Sequence, residues 1–153
     1  MDERFHTFTV LISTINRAIY RIKTEEMAEF NLKSSHVSCL YYLHRNESLT
    51  VTELCDICEE DKANISRSIK HLETNGYIEC TSNDAKRYHR PLALTQAGRE
   101  IGERISQKVD AILKKASEGL SDRIRSDFYS ALALIDSNLK KICDGYDVVA
   151  DQR

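Results

Sequence analysis

The side chains with the most chemistry to offer lie between residues 62 and 90. Lys62, Arg67, Lys70, Lys86, Arg87 and Arg90 are cations, and Asn64, Ser66 and His71 add neutral hydrogen-bonding groups. Only Glu73, Glu79 and Asp84 oppose them, leaving a local surplus of three positive charges in a chain whose net charge is −2. A basic patch on an acidic body suits a polyanion held on one face. A chance cluster on a solvated surface gives the same charge count, so the arrangement of the groups has to decide. Arg and Lys donate to guanine O6 and N7, Asn pairs with adenine, and Ser holds phosphate. Reading bases in this way needs the groups on one side of a rigid element that fits a major groove.

The spacing supplies such an element. At about 100° per residue, Ile65, Ser68, Ile69 and Leu72 fall on one side of a helix over 62–75 and pack inward. Ala63, Asn64, Ser66, Arg67, Lys70 and His71 fall on the other side, with no acid before Glu73. Asp61 is a fitting N-cap, and Gly76 supplies the backbone freedom to end the helix. A shorter helix precedes it. Thr50-Val51-Thr52-Glu53 is a capping box, in which the Thr hydroxyl accepts from the Glu53 N–H and the carboxylate reaches back to the Thr50 N–H. That helix is expected to bury Val51, Leu54, Ile57 and Cys58, before a polar turn at Glu59-Glu60-Asp61. After Gly76, residues 77–81 and 92–95 read as two strands around a polar turn over 82–89. Pro91 stands at a strand start, where a missing N–H is tolerated. Lys86, Arg87 and Arg90 sit on this turn and its rising arm, where cations reach a phosphate or a narrow minor groove. Two short helices, a Gly stop and a basic hairpin, in that order, make a winged helix-turn-helix over residues 34–95.

The flanks are helical. Phe5, Phe8, Ile12, Ile15, Ile19 and Ile22 repeat at steps of three and four, giving a long amphipathic helix over 5–30 with a stop at Asn31. Ser34 or Ser35 is a candidate cap for a second helix to about Arg45, and residues 46–48 form a loop. Thr95 caps a long helix with Ile101, Ile105, Val109 and Ile112 along one side, and Gly119 breaks it. Ser121 caps the last helix, which repeats Ile124, Phe128, Leu132, Ile135, Leu139 and Ile142, and the tail after Cys143 is expected to fray. The fold class is therefore mainly α with a small β-hairpin wing, the wing region spanning 34–95 and a helical dimerisation region comprising 1–33 and 96–146. Long apolar seams at opposite ends of one chain suit an intertwined dimer.

Five Cys and no export signal argue against a disulfide scaffold. Cys55-x-x-Cys58 places two thiols on one side of a helix, as packing groups, as a redox pair or as half a zinc site. No second ligand pair follows, so neither a metal nor a cofactor is expected. No Gly-rich phosphate loop, nucleophile elbow or HExxH appears, and the adjacent acids Glu25-Glu26 and Glu59-Glu60 diverge on a helix, so an enzyme is not expected. The longest apolar runs are far short of a membrane span, and the cytoplasm is the expected location.

The run DKANISRSIKHLETNGYIECTSNDAKRYHRPLALTQAGRE resembles the MarR family of winged-helix transcription regulators. Its matching elements are the entry at Asp61-Lys62, Ser66-Arg67 in mid-helix, Leu72-Glu73, Gly76-Tyr77-Ile78, the Asp and Arg of the wing, and the closure Leu94-Thr95-Gln96-Ala97-Gly98. The resemblance implies a homodimer with interlocking terminal helices, bound to a palindromic double-stranded DNA operator, usually as a repressor released by a small ligand or an oxidant. It implies recognition-helix roles for Ser66, Arg67 and Lys70. Arg87 is the closest match to the wing Arg, although Asp84-Ala85-Lys86-Arg87 departs from the usual spacing by one residue. It places the effector pocket near His36, Cys39 and Tyr42. The alternative reading is a winged-helix protein-interaction module whose basic hairpin docks an acidic partner.

Overall fold

The computed structural model describes the backbone of residues 2–80 and 91–150, with side chains over 6–80 and 91–146. Its described residues divide into two units, residues 1–110 and 111–153.

In the first unit, helix α1 spans Asp2–Glu26, and a 3-10 turn follows at Ala28–Phe30. Asn31 ends this turn with a left-handed φ of 51°, a conformation that Asn tolerates better than most residues. Helix α2 is Ser34–Arg45. Neither serine caps it. The Lys33 N–H donates to His36 Nδ1 at 3.3 Å, while Ser35 turns inward and accepts a hydrogen bond from the Ser68 hydroxyl at 2.9 Å. A buried hydroxyl needs a partner, and each of these two serines supplies the other's.

Helix α3, Val51–Cys58, starts on the expected capping box. The Thr50 N–H donates to Glu53 Oε2 at 2.7 Å, and the Glu53 N–H to Thr50 Oγ1 at 3.3 Å. Val51 and Leu54 are buried, but Ile57 is 39% exposed and Cys58 only half-buried. An eight-residue helix lays one narrow stripe against α2 and its successor, and Ile57 lies off that stripe. Helix α4, Lys62–Thr74, is capped by Asp61, whose Oδ1 accepts the Asn64 N–H at 2.8 Å. Ile65, Ser68, Ile69 and Leu72 are all buried, the inward face that its period requires. Gly76, at φ +74°, turns the chain out of α4.

Strands β1, Ile78–Cys80, and β2, Leu92–Leu94, pair antiparallel with Ile78 opposite Leu94 and Cys80 opposite Leu92. Leu49 adds a bridge to the outer edge of β2, exchanging both backbone hydrogen bonds with Leu92 at 2.9 and 3.1 Å. The loop before α3 thus ends in a sheet contact that the sequence pattern did not indicate. The turn over 82–89, with Lys86 and Arg87, and Arg90 beside it, lies outside the described residues. Helix α5, Gln96–Ala116, starts where Thr95 Oγ1 accepts the Gly98 N–H at 3.1 Å. The core joins α2, α3, α4, the hairpin and the first half of α5, with Leu40, Leu54, Ile65, Leu72 and Ile105 wholly buried.

The second unit holds the end of α5 and helix α6, Asp122–Ala150. Gly119, at φ +85°, separates them, and Ser121 Oγ accepts the Ile124 N–H at 3.3 Å. Helix α6 runs through Ala150, so residues 144–150 are helical rather than frayed, and residues 151–153 of the expected tail lie outside the described residues. One Gly145 costs a helix about 1 kcal/mol, too little to stop propagation of a helix already formed. Ile12, Ile15 and Ile19 of α1, and Ile124, Phe128, Leu139 and Ile142 of α6, are exposed. Apolar stripes of this length are seldom left to water.

Candidate nucleic-acid interface

Helix α4 is clamped from behind and open in front. Its inward residues meet α2 and α3, and Ser68 is tied to Ser35. Lys62, Arg67 and Lys70 are exposed on the other face, with Ser66 half-buried between them. Among the described residues neither Arg67 nor Lys70 enters an ion pair, and no acidic side chain separates them. The open face has Ala63 as its largest apolar group before Leu72. It is therefore a set of hydrogen-bond donors on a rigid rod.

Two of the expected readers are held differently. The Asn64 side chain is only partly exposed, and its Nδ2 donates to the Glu60 carboxylate. Glu60 thus fixes the orientation of the Asn64 amide, leaving its oxygen and one N–H for another partner. The role of Glu60 was missed in the sequence, although the step of four residues across the Asp61 cap is a usable signal. His71 stacks on His36 of α2, with ring centroids 4.2 Å apart and planes within 9°. It therefore braces α4 against α2 while its residue remains exposed.

The three expected pocket residues separate into two sites. His36 is buried under His71. Burial, then the neighbouring His71 and Lys33, holds its imidazole below the usual histidine range. The folded state accordingly binds a proton there less readily than the unfolded chain. The stability that depends on neutral His36 is present above the ordinary histidine pKa and is lost as pH falls through the lowered one. Urea midpoints measured at pH 7.5 and pH 5.5 should show the acid-side loss, and His36→Gln should shrink it. An equal pH slope in both proteins would show that another group is responsible.

Cys39 and Tyr42 face the other way, toward α3. Cys39 is wholly buried. The neighbouring Cys58 side chain, followed by burial, pushes the Cys39 thiol far up. The Cys39 side chain, helped by the Lys23 ammonium, holds Cys58 below the usual thiol value against its burial. Tyr42 is pushed up by burial, then by Cys58. Cys55 shares α3 with Cys58 and is pushed up chiefly by burial. The spacing of three residues puts Cys55 and Cys58 on one helix side, but the thiol that most affects Cys58 is Cys39 of α2. A cleft of about 400 Å³ lined by Leu43, His44, Arg45, Asn46, Ala93 and Arg99 contains none of these pocket residues. Among the described residues no three His, Cys, Asp or Glu side chains gather as metal ligands, and no helix is long and apolar enough to cross a membrane.

The helix pair α3–α4, the Gly76 turn and the β1–β2 hairpin define a winged helix-turn-helix protein. The model of the MarR family matches residues 30–87. An uncharacterized HTH-type transcriptional regulator, YwoH, of Bacillus subtilis (strain 168) is 31% identical over 115 residues, covering 73% of this chain and 81% of that one. The chain belongs to the MarR family of transcriptional regulators. A Listeria monocytogenes protein solved with 26-mer DNA is 26% identical, with a TM-score of 0.76 over 84% of this chain and 85% of that one. NMB1585 of Neisseria meningitidis, a MarR family regulator, shares the fold at a TM-score of 0.75 and 19% identity, over 88% of this chain and 94% of that one.

Proposed function

We propose that this regulator is a cytoplasmic homodimer that binds a palindromic operator in double-stranded DNA, acts as a repressor, and is released by a small ligand or an oxidant. The observation that carries the reading is the outward face of α4, an acid-free row of Lys62, Ser66, Arg67 and Lys70 on a helix whose back is locked into the core. Residues 34–95 form the DNA-binding region. In it Asn64 and His71 complete the reading face, and Lys86, Arg87 and Arg90 of the wing reach the backbone or the minor groove. Residues 1–33 and 96–146 form the dimerisation region, and a second copy of the chain covers the exposed apolar stripes of α1 and α6. The Listeria relative with its bound DNA supports the partner. The protein performs no catalysis in this reading. An acidic protein partner is disfavoured, because a docking face needs apolar anchors and this one has none larger than Ala63.

For the release step, two of the three expected pocket residues are not open to solvent. His36 is held by Lys33 and His71, and Cys39 is wholly buried. An effector seated there must displace the His36 contacts or open the core around Cys39.

Selecting bound duplexes from a random pool tests the proposal. The selected sequences should contain two inverted half-sites about one helical turn, roughly 34 Å, apart. Sedimentation should show two protomers per duplex, and affinity should fall steeply with salt. Absence of any salt-sensitive duplex binding would overturn it in favour of a protein partner.

A further inference from the structure

Two pairs of side chains tie α2 to α4. Ser35 and Ser68 share a buried hydrogen bond, and beside them the rings of His36 and His71 lie face to face, 4.2 Å apart and within 9° of parallel. The two rings sit in unlike surroundings. His36 is buried, whereas His71 is exposed on the flank of α4 that also carries Asn64. Packing alone would be served by two Phe rings, so the imidazoles need a further reason. Nδ1 of His36 accepts the Lys33 N–H at 3.3 Å, satisfying an orphan donor at the start of α2. That bond leaves the hydrogen of the neutral ring on Nε2. Among the described residues no group hydrogen-bonds the ring nitrogens of His71. Its polar atoms are available at the rim of the face that carries Arg67 and Lys70.

We infer that His36 is a positioning residue for the DNA-reading face: its ring holds His71 at the rim of α4, where docking on a backbone phosphate puts one proton on His71 while His36 stays neutral. The inference rests on the DNA-binding reading and adds to it a group that meets the phosphate by taking up a proton. In helix-turn-helix docking the first residues of the reading helix meet base edges. His71 comes late in α4 and so falls toward the sugar–phosphate flank. A phosphate beside an imidazole favours its cationic form. The proton comes from solvent, and the imidazolium N–H donates to a phosphate oxygen. One cationic ring is attracted to a π face within about 6 Å, and the neutral His36 ring lies inside that distance.

A second proton on the pair is opposed in three ways. On His36 it would occupy Nδ1 and break the bond from the Lys33 N–H. Two cationic rings 4.2 Å apart would repel each other. Burial, then His71 of α4 and Lys33 of α2, already holds the His36 imidazole below its usual range. No carboxylate is among the groups that act on it, and none of those groups comes from α3 or β2, which also pack on α2. Around His71, α4 itself adds Arg67 and Lys70, while Glu73 lies about 200° away around the helix. The docked pair therefore holds one proton. Affinity should rise as pH falls through the ordinary histidine range, because the docked state binds the extra proton. It should fall again in more acid solution, where protonation of His36 opens the stack.

The test uses the full-length protein and the duplex enriched from the random pool, at fixed ionic strength. From about pH 8 to about pH 6.5 the affinity should rise roughly tenfold. Calorimetry in buffers of different ionisation enthalpy should record proton uptake on binding, at most about one per protomer. His71→Gln should bind with a flat pH profile over that range and take up no proton. His36→Gln keeps an acceptor for the Lys33 N–H but has no ring, and should lose affinity about tenfold. His36→Phe keeps a ring that cannot ionise, and should restore binding while lacking the fall in acid. His71→Gln, at an exposed position, carries the test should a change at buried His36 upset the fold. Proton uptake that survives His71→Gln, or full affinity in His36→Gln, would overturn the inference. The DNA-free protein is read separately, by nuclear magnetic resonance of the imidazole protons. His36 should gain its proton only after His71, and more readily in the His71→Gln protein. Titration of His36 that is the same in both proteins overturns the one-proton pair even where duplex is bound. A parent that binds no duplex overturns the DNA reading, and the phosphate contact with it, whatever the pair does.

Discussion

Replacing Gly98 by Ala is expected to destabilise the fold by about 3 kcal/mol, at the upper end of the usual range for overpacking. A Cβ on Gly98 would lie 1.9 Å from the Tyr77 carbonyl oxygen, 2.9 Å from its carbon and 3.2 Å from Leu94 Cδ2. The obstacle is backbone, so no rotamer change relieves it. The Tyr77 oxygen is also fixed, because it accepts the Thr95 N–H at 3.1 Å. Thr95 in turn donates its hydroxyl to the Gly76 carbonyl at 2.6 Å and accepts the Gly98 N–H. The first turn of α5, the root of the hairpin and the end of α4 therefore meet at one point, and a methyl group there must pry them apart. Chemical denaturation followed by circular dichroism measures the loss. Gly145→Ala on α6 is the control. Its Cβ meets nothing within 4 Å, and removing a helix glycine should leave stability equal or slightly higher. A Gly98→Ala protein within 1 kcal/mol of the parent would show that α5 can slide off β1 at little cost, contrary to what these distances imply.

That junction also shows why some of the molecule was legible in the sequence. The Thr95 cap, the Thr50–Glu53 box, the Asp61 cap and the inward row of α4 involve partners within one or two helical turns. Composition and period suffice to read them. The Gly98 closure was recognisable as a motif, but its physical cause, the Tyr77 carbonyl, was not. The same limit covers the contacts that shape the candidate site. Ser35 and Ser68 are 33 residues apart in sequence. His36 meets His71 only because α2 is folded across α4, and Leu49 meets Leu92 only because β2 returns to the loop before α3. No local pattern encodes such pairs. Reading Ser34 or Ser35 as a cap failed because a buried tertiary partner for Ser35 outcompeted local capping. Ile57 was misplaced for a related reason, since hydrophobicity indicates that a residue can be buried, and packing decides whether it is.

Arg67→Ala is expected to weaken binding to the selected operator by about 1–3 kcal/mol per half-site, roughly tenfold to a hundredfold. Arg67 is exposed on α4, one turn after the capped start and opposite Ile65 and Ile69, so its truncation removes no core contact. Thermal unfolding should therefore be unchanged, which separates lost recognition from lost structure. The loss should also depend on sequence. A guanidinium that donates to a base edge discriminates among bases, so Arg67→Ala should bind scrambled duplex nearly as well as the parent does. Arg87→Ala and Arg90→Ala should behave in the opposite way, lowering affinity for every duplex and flattening the salt dependence, as expected for cations that meet phosphates. Glu60→Ala adds a further discrimination. It frees the Asn64 amide from its carboxylate partner and removes a negative charge beside the reading face. If Asn64 reads a base in the orientation that Glu60 imposes, this variant should bind non-specific duplex more tightly and its own operator with less selectivity. If Arg67→Ala instead lowered affinity equally for operator and scrambled DNA, α4 would be acting as a phosphate clamp, and sequence reading would have to come from elsewhere in the wing region.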